Sequence, residues 1–423
     1  MTWTLLALPV ALFVFGVPVF AVLLAGATVT LLLFMPMPAM VLPQIMFGGV
    51  DKFALLAVPF FIFAGELMGR GGIADRLVDW VLSLTGHVRG SLGMATVGTA
   101  TLMGAVSGSS PATVAATGRT LYPKLIEQGY GKRFSLGLIA SSGSIAIVVP
   151  PSIAMILYGA SGEQSIPRLF QAGLLPGLLI AALMMGYILI WAARTHAAPQ
   201  QGFRFKLFLH ATKRAWAALL MPALILIGIY AGWFSPTEAG GVACLYAMLV
   251  ALFVYRTLNL RGIIEAAAEA AYLTAQILVI VAAAGVFSYI LTVNGIPQGL
   301  VGAIVEMDLT PVSFLIAINI LLLLLGCVLD PTSAILVLTP ILMPVIAHLG
   351  IDPIHFGIIM TVNLSIGMFT PPFGLNIFVA QSVISSDLGA IYRGILPFLA
   401  VQIAALAIIT YVPAVSLALS WIW

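Results

Sequence analysis

The chain has 423 residues, of which 62% are hydrophobic and 7% are charged, and its formal net charge is +3. A soluble globular domain carries roughly 25% charged residues, so this composition excludes a soluble protein and indicates a polytopic membrane protein. Apolar runs near the ~20 residues that a helix needs to cross a bilayer recur along the chain. They predict an all-α fold rather than a transmembrane barrel, whose strands alternate over ~10-residue segments.

Several classes of chemistry have no counterpart in the sequence. The five histidines and two cysteines show no spacing typical of metal ligands, so we expect no transition-metal site. No glycine-rich phosphate-binding loop is present, and no Ser/His or paired-Asp arrangement lies within an apolar run. We therefore expect neither ATP hydrolysis nor an enzyme activity. The charge of +3 is explained by the loops described below and implies no nucleic-acid partner.

The first half of the chain, residues 1–211, predicts helices that are interrupted twice at membrane depth. In chain order we expect two short scaffold helices within 3–34 that meet near Pro18, a span at 52–69, an arm helix at 73–85, a re-entrant hairpin at 90–128, a broken helix at 133–159 and a span at 168–193. The arm helix has apolar residues at helical spacing and charged residues on its other face. The hairpin is predicted because each flank of its polar tip is short for an independent span.

The second half, residues 212–423, repeats the first. A single offset superposes Pro150-Pro151 on Pro371-Pro372 without a gap. The matching elements are scaffold helices within 213–256, an arm helix at 296–306, a hairpin at 311–347, a broken helix at 354–381 and a final span at 394–418. Duplicated halves with Pro-interrupted apolar segments at matching positions point to the binding site of a secondary transporter.

Lysine and arginine residues predict the orientation, because they are enriched in cytoplasmic loops. They cluster at residues 70–89, 119–133, 194–214 and 256–261 and at Arg393, whereas the intervening ends carry Glu238, Glu306, Asp308 and Asp352. Placing the basic clusters in the cytoplasm makes the two halves inverted copies and leaves both termini outside. Lys52 and Arg168 are the two exceptions.

Hairpin tips and helix breaks supply the candidate site, because non-helical backbone at membrane depth must be buried in protein or line a cavity. Carbonyl groups and helix C-termini suit Na⁺, and helix N-termini suit carboxylates. The predicted Na⁺ ligands are Ser107, Gly108 and Ser109 facing Gly143, Ser144 and Val149 in the first half, and Gly326 and Asp330 facing Gly367 and Thr370 in the second. The predicted substrate-binding residues are Ser109, Ser110, Pro151, Thr332, Ser333 and Pro372.

Other roles stay open for these residues. Hydroxyls in membrane helices also serve helix packing, which is the competing role for any single serine here. Asp330 is the only acid in the middle of a long apolar stretch, and such residues are functional by default; its competing role is to cap the following helix. Glu66 is expected to reach toward the interface near the end of its span. Arg119 is either an interfacial anchor or a counter-ion for the substrate.

Short motifs carry a family resemblance: GSSPATVAA at 108–116, IVVPPS at 147–152, FSPTEA at 234–239, LTPIL at 338–342, DPIHFG at 352–357 and TPPFGLN at 370–376. These motifs span nearly the whole chain. In them the chain resembles the DctM-like family, which is the large membrane subunit of the tripartite ATP-independent periplasmic (TRAP) transporters. The resemblance implies a multi-pass protein of the bacterial inner membrane with periplasmic termini. It also implies Na⁺-coupled import of organic acids such as C4-dicarboxylates or sialic acid.

The resemblance further implies an elevator mechanism, in which the hairpins and broken helices move as one body against a scaffold. The implied partners are a small membrane subunit of four helices and a periplasmic substrate-binding protein. The family commonly has glycine where this chain has Ala146, so the first Na⁺ site is expected to be tighter or shifted. A stand-alone divalent-anion/Na⁺ symporter of similar architecture is the alternative, and co-purification of a small subunit distinguishes the two.

Overall fold

The computed structural model describes residues 2–35, 38, 40–86, 88–195 and 204–419 of the chain. These residues form helices and connecting turns, and no strand occurs among them. Seven helices in this part of the chain are long and apolar enough to cross a membrane, or up to eight when the bent pair Lys132–Val148 and Ile153–Ser161 counts as one span. The prediction of an all-α polytopic membrane protein is therefore confirmed.

The helices of the first half follow the predicted order. They are α1 (Thr2–Val14), α2 (Val19–Phe34), α3 (Val41–Val50), α4 (Ala57–Arg70), α5 (Ile73–Thr85), α6 (Ser91–Ser107), α7 (Ser110–Glu127), α8 (Lys132–Ser142), α9 (Ile145–Val148), α10 (Ile153–Ser161) and α11 (Ile166–Thr195). The break between α1 and α2 lies at Pro18, as predicted, because proline cannot continue a helix but can begin one. A short 3₁₀ turn, Phe53–Leu56, leads into α4.

The second half has the same sequence of an arm, a hairpin and a broken helix. Its helices are α12 (Phe205–Tyr230), α13 (Pro236–Leu249), α14 (Leu260–Val293), α15 (Ile296–Glu306), α16 (Pro311–Gly326), α17 (Pro331–His348), α18 (Pro353–Gly367), α19 (Leu375–Ile384), α20 (Leu388–Tyr411) and α21 (Ala414–Leu417). Both arm helices, α5 and α15, have the predicted bounds. That the two halves are inverted copies stays a prediction.

Some helices differ from the prediction, among them the final span, which ends at Tyr411 rather than at residue 418. The long helix α14 was not predicted, although it is among the most apolar candidate spans of the described residues. The short helix α3 was also missed, since ten residues are too few to indicate a span. Helix α12 begins at Phe205 rather than at residue 213, so the predicted boundary after residue 211 falls inside a helix. Its basic first turns resemble a loop in sequence, although such side chains can stay helical and reach solvent.

Hydroxyl and carboxylate residues followed by proline determine where several helices begin. Ser235, Thr310, Asp330 and Asp352 each accept a hydrogen bond from a backbone N–H in the first turn of the following helix. At α13 the capping is reciprocal, because the Ser235 N–H also donates to Glu238 Oε2 at 2.7 Å. Since the flanking sequence is apolar on both sides, these caps rather than hydropathy fix the helix starts.

The predicted scaffold and the predicted moving body each contain helices of both halves, and the two groups pack against each other where α5 meets α6 and where α14 and α15 meet α17. In the first group, which we call the scaffold (α1–α5 and α12–α15), α4 packs against α13 and α14, and α5 packs against α12. The second group, the hairpin body (α6–α11 and α16–α21), contains both hairpins and both broken helices. In it α7 packs against α19 and α10 against α17. Each hairpin therefore rests on the broken helix of the other half.

Candidate functional site

The tip of the first hairpin is a tight turn between α6 and α7. Gly108 has a φ of +57°, and a Cβ at this position would lie 2.8 Å from the carbonyl oxygen of Pro151. Both the turn and the close approach therefore require glycine. The backbone N–H of Ser109 donates to Ser107 Oγ at 3.3 Å, which holds the turn closed. The tip thus lies against the first double proline, which, like the second, is a cis pair.

Ser110 connects this tip to the other half of the chain. Its Oγ lies 2.7 Å from Nδ2 and 3.0 Å from Oδ1 of Asn376 on α19. Asn376 Nδ2 also donates to the carbonyl oxygen of Ala140 at 3.1 Å, and both side chains are completely buried. The predicted role of Ser110 in substrate binding therefore competes with this contact. Asn376 was not predicted as a site residue, although an amide in an apolar helix was an available signal.

The break in the first broken helix lies against the tip, as predicted. A Cβ on Gly143 would lie 3.1 Å from the carbonyl oxygen of Ser110. The hydroxyl of Ser144, however, is directed away from the tip, because its Oγ lies 2.7 Å from Ser141 O and 2.9 Å from Gln402 Oε1. Gln402 Nε2 in turn donates to Ser141 O at 3.0 Å. The backbone of Ser144 is also hydrogen-bonded, because its N–H donates to Ser141 O and its carbonyl oxygen accepts from the Ile147 N–H, both at 3.3 Å. As the predicted Na⁺ ligand, Ser144 would therefore use a second lone pair of an oxygen that already accepts a hydrogen bond.

Each hairpin meets a broken helix of its own half through residues without bulky side chains. A Cβ on Gly367 would overlap the backbone of Gly326. At the corresponding contact in the first half, a Cβ on Gly104 would lie 2.5 Å from the Cα of Ala146. Because Gly104 has no side chain, the methyl group of Ala146 fits where the family commonly has glycine. The departure from the family pattern therefore does not separate the hairpin from the broken helix.

Asp330 caps the second hairpin's helix α17 with both carboxylate oxygens. Ser333 donates its N–H to Oδ2 at 3.1 Å and its hydroxyl to Oδ1 at 2.5 Å, so the capping role is present. Ser333 is completely buried and its hydroxyl is committed to this bond. Thr332 is half-buried, and its hydroxyl has no hydrogen-bond partner among the described residues. Thr370 donates its hydroxyl to Ile366 O at 2.7 Å.

Both tips face one cavity of about 210 Å³ between the hairpin body and the scaffold, which we call the central cavity. It brings together six predicted residues: Ser107, Gly108, Ser109, Ser110, Asp330 and Thr332. Pro151, Pro372 and Ser333 do not line it, and neither do Gly143, Ser144, Val149, Gly326, Gly367 and Thr370. The scaffold contributes residues that sequence reasoning did not select, among them Glu66 of α4 and Gln276 of α14.

The charged side chains that line the central cavity are both acids. They are Glu66 and Asp330, and no lysine or arginine occurs among the described residues around it. The expectation that Glu66 reaches toward the interface stays a prediction. Glu66 is among the residues that line the cavity, and its Oε2 lies 3.5 Å from Nε of Arg70, the last residue of α4. Two carboxylates in a partly desolvated space repel an anion. The described lining of the central cavity therefore supplies no positively charged side chain for an anion.

Two further cavities lie along the surface where the hairpin body meets the scaffold. The arginine cavity, of about 260 Å³, is lined by Arg70 and Arg119 and shares Gly65, Glu66, Ser107 and Ala112 with the central cavity. The lysine cavity, of about 170 Å³, is lined by Lys52 and shares no lining residue with the central cavity among the described residues. The central cavity therefore adjoins the arginine cavity and lies apart from the lysine cavity.

Two helical hairpins and two interrupted helices surround a cavity in a polytopic, all-helical membrane protein. Residues 6–415 match the family described as the tripartite ATP-independent periplasmic transporter, DctM component, and the chain belongs to that family. Members of this family are transporter permeases rather than enzymes. They work with a substrate-binding protein and a small membrane subunit. Family membership and the apolar helices together make this chain a multi-pass inner-membrane protein.

Named relatives extend the comparison over nearly the whole chain. The C4-dicarboxylate TRAP transporter large permease protein DctM of Pseudomonas aeruginosa is 43% identical over 94% of this chain and 93% of its own. The ectoine/5-hydroxyectoine TRAP transporter large permease protein UehC of Ruegeria pomeroyi is 36% identical over 99% and 98%. The crystal structure of the Alcanivorax borkumensis YdaH transporter shares the fold, with a TM-score of 0.62, 17% identity and coverage of 95% and 97%.

Proposed function

We propose that this chain imports a small organic acid together with Na⁺ through the central cavity. The observation that carries the proposal is that both hairpin tips converge on a cavity whose charged groups, Glu66 and Asp330, are acids. Co-transported cations would supply the positive charge that an anionic substrate needs there. The hydroxyls of Ser109 and Thr332 and the amide of Gln276 are neutral donors suited to carboxylate oxygens.

We place the coupling ions where the hairpins meet the breaks in the helices. One Na⁺ would lie between the first tip and residues 143–149, and the second between residues 326–330 and residues 367–370. Backbone carbonyls suit this ion, and the close contacts of Gly143 with Ser110 and of Gly367 with Gly326 support both positions. The hydroxyls of Ser144 and Ser333 are already hydrogen-bonded, so we expect the ligands to be mostly carbonyl oxygens.

We propose that the substrate crosses because the hairpin body moves against the scaffold. In the predicted orientation the arginine cavity is cytoplasmic and the lysine cavity is periplasmic. Because the central cavity shares lining residues with the arginine cavity, we propose that this is the inward-facing state. Import then requires a second state in which the tips face the lysine cavity. Arg119, which forms no ion pair among the described residues, would attract an anion that leaves the central cavity toward the cytoplasm, whereas Arg70 is paired with Glu66 and Glu265.

C4-dicarboxylates are the substrate class that we propose first, because the Pseudomonas relative named for them is 43% identical. Sialic acid stays a prediction. A second candidate is a zwitterion of the ectoine type, for which the Ruegeria relative is named. The two acids of the central cavity favour it, because the cationic part of a zwitterion would pair with Glu66 or Asp330 directly.

The predicted partners are a four-helix membrane subunit and a periplasmic substrate-binding protein, and family membership favours them over a stand-alone symporter. The test reconstitutes the chain with the small subunit in proteoliposomes and adds the binding protein outside. We expect an inward Na⁺ gradient to drive accumulation of labelled succinate, or of ectoine in a parallel reaction, and choline substitution to abolish it. Equal uptake in choline would contradict Na⁺ coupling. Full uptake without the small subunit and the binding protein would favour the stand-alone symporter.

A further inference from the structure

Lys52 is one of the two basic residues that the predicted orientation leaves on the outer side. The other, Arg168, is exposed, whereas Lys52 is half-buried just before the 3₁₀ turn that leads into α4. Its Nζ donates to the carbonyl oxygen of Ala160, near the end of α10, at 2.7 Å. Because Lys52 belongs to the scaffold and Ala160 to the hairpin body, this bond crosses the surface at which the two groups meet.

The ammonium group of Lys52 has more N–H donors than the described residues provide acceptors for. It carries three N–H groups, and the carbonyl of Ala160 is the acceptor that the described residues provide. No carboxylate of those residues forms an ion pair with it. A half-buried cation loses part of its hydration, and a single carbonyl oxygen replaces it only partly. Lys52 therefore lacks a negatively charged partner among the described residues.

The lysine cavity offers further donors and lacks acids. Its polar side chains are Lys52, Ser161 at the end of α10 and Ser288 on α14, and no aspartate or glutamate lines it among the described residues. The hydroxyls of both serines have no hydrogen-bond partner in the described part of the chain. One cation and two free hydroxyls, from the scaffold and from the hairpin body, converge on this space. This composition suits a carboxylate and contrasts with the acidic central cavity.

We infer that the lysine cavity is an outer carboxylate-binding site, which the substrate occupies before it reaches the central cavity. The inference rests on the proposed import of an organic acid. In the present state the carbonyl of Ala160 takes the place of the anion on Lys52. When the hairpin body moves, Ala160 and Ser161 depart with it. The released ammonium and the hydroxyl of Ser288, which both stay on the scaffold, then bind a substrate carboxylate. The substrate thereby meets a fixed positive charge before it enters the acidic cavity with its cations.

A purely structural role for Lys52 makes a different prediction. Ala160 lies in the last turn of α10, where a cation also stabilises the carbonyl end of the helix. Glutamine at position 52 would still donate a hydrogen bond to that carbonyl but would carry no charge. Arginine would keep the charge and change the shape. Comparison of these two variants therefore separates anion binding from helix capping.

The first test measures succinate uptake by the complete complex in proteoliposomes across a range of concentrations. For Lys52→Gln we expect the apparent KM to rise about tenfold, because a hydrogen bond to a charged group is lost, with the saturating rate nearly unchanged. Lys52→Arg should keep most of the affinity. Arg168→Gln, which removes the exposed outer charge, is the matched control and should match the wild type. An unchanged KM in Lys52→Gln would overturn the inference.

The second test detects occupancy at the site itself. Lys52→Cys is placed in a chain whose Cys244 and Cys327 are replaced by alanine, and a membrane-impermeant thiol reagent is added with or without succinate. We expect succinate, but not the neutral amide succinamide, to slow labelling at least threefold, and an aminoethyl reagent to restore uptake by restoring the charge. No protection and no restoration would overturn the inference while leaving the proposed function intact. Absence of wild-type uptake of succinate and ectoine would overturn the proposed function, and the inference with it.

Discussion

Replacing Asp330 with asparagine is expected to remove most Na⁺-dependent uptake and to leave the protein folded. The side chain caps α17 through Ser333, and asparagine is as good an N-cap residue as aspartate. The substitution nevertheless removes one of the two negative charges that face the central cavity. Because interactions with a charged group are worth about 1.5–3 kcal/mol, we expect roughly tenfold weaker Na⁺ activation or more. The measurement is succinate uptake as a function of external Na⁺.

Two matched variants separate the charge of Asp330 from its capping role. Asp352→Asn changes the cap of α18, where the carboxylate accepts from the N–H groups of Ile354 and His355 at 2.8 and 2.9 Å, and Asp352 does not line the central cavity. It should leave Na⁺ activation unchanged. Asp330→Ala removes both charge and cap and should also lower the thermal stability. Wild-type Na⁺ activation in Asp330→Asn would remove this residue from the coupling mechanism.

Replacing Gly367 with alanine is expected to damage both the packing and the second predicted Na⁺ site. The new methyl group would overlap the backbone of Gly326, which cannot move without displacing α16. Overpacking of this kind typically costs about 1–3 kcal/mol. We therefore expect a lower unfolding temperature in detergent and loss of Na⁺-driven uptake, measured on the same preparation.

Two further substitutions show whether the close approach is the cause. Gly241 lies within α13, and a Cβ there would have no neighbour within 4 Å. Gly241→Ala should therefore be neutral or stabilise the protein by up to about 1 kcal/mol. Ala146→Gly restores the residue that the family commonly has, and it should retain uptake. If Gly367→Ala has the same unfolding temperature and the same Na⁺-driven uptake as Gly241→Ala, the close contact between Gly326 and Gly367 is not the cause.

The fold was largely predictable from local patterns. Proline and capping residues act within one helical turn, so the break at Pro18 and the helix starts after Ser235 and Asp330 could be located from sequence alone. The capping role of Asp330 was one of two roles considered, and the structure contains it. Helix α14 was missed although its hydropathy is among the highest of the candidate spans in the described part of the chain; only its first turns, which carry Arg261 and Glu265, resemble a loop in sequence.

The composition of the site was less predictable, because it depends on the direction of side chains. Ser110 pairs with Asn376 and Ser144 with Gln402 across more than half of the chain, and no local pattern indicates such a pairing. The repeat selected residues of both tips, and six of these predicted residues line the central cavity. It did not select Glu66, because this residue lies within the continuous helix α4, where no interruption of the apolar pattern marks a site.

The most direct test of the account fixes the hairpin body to the scaffold. A Cβ on Gly65 of α4 would lie 3.2 Å from the Cβ of Ser107 on α6, close to the roughly 3.5–4.5 Å of a disulfide. Gly65→Cys/Ser107→Cys, with Cys244 and Cys327 replaced by alanine, is compared with Gly118→Cys/Val383→Cys. A Cβ on Gly118 would lie 3.3 Å from Val383 Cγ1, so the second pair links α7 to α19 within the hairpin body.

Succinate uptake is measured with each pair reduced and oxidised, so each variant is its own reference. The account predicts that oxidation stops uptake for Gly65→Cys/Ser107→Cys, that reduction restores it, and that the pair within the hairpin body transports equally well in both forms. Undiminished uptake by the oxidised Gly65→Cys/Ser107→Cys protein would contradict a hairpin body that moves against the scaffold.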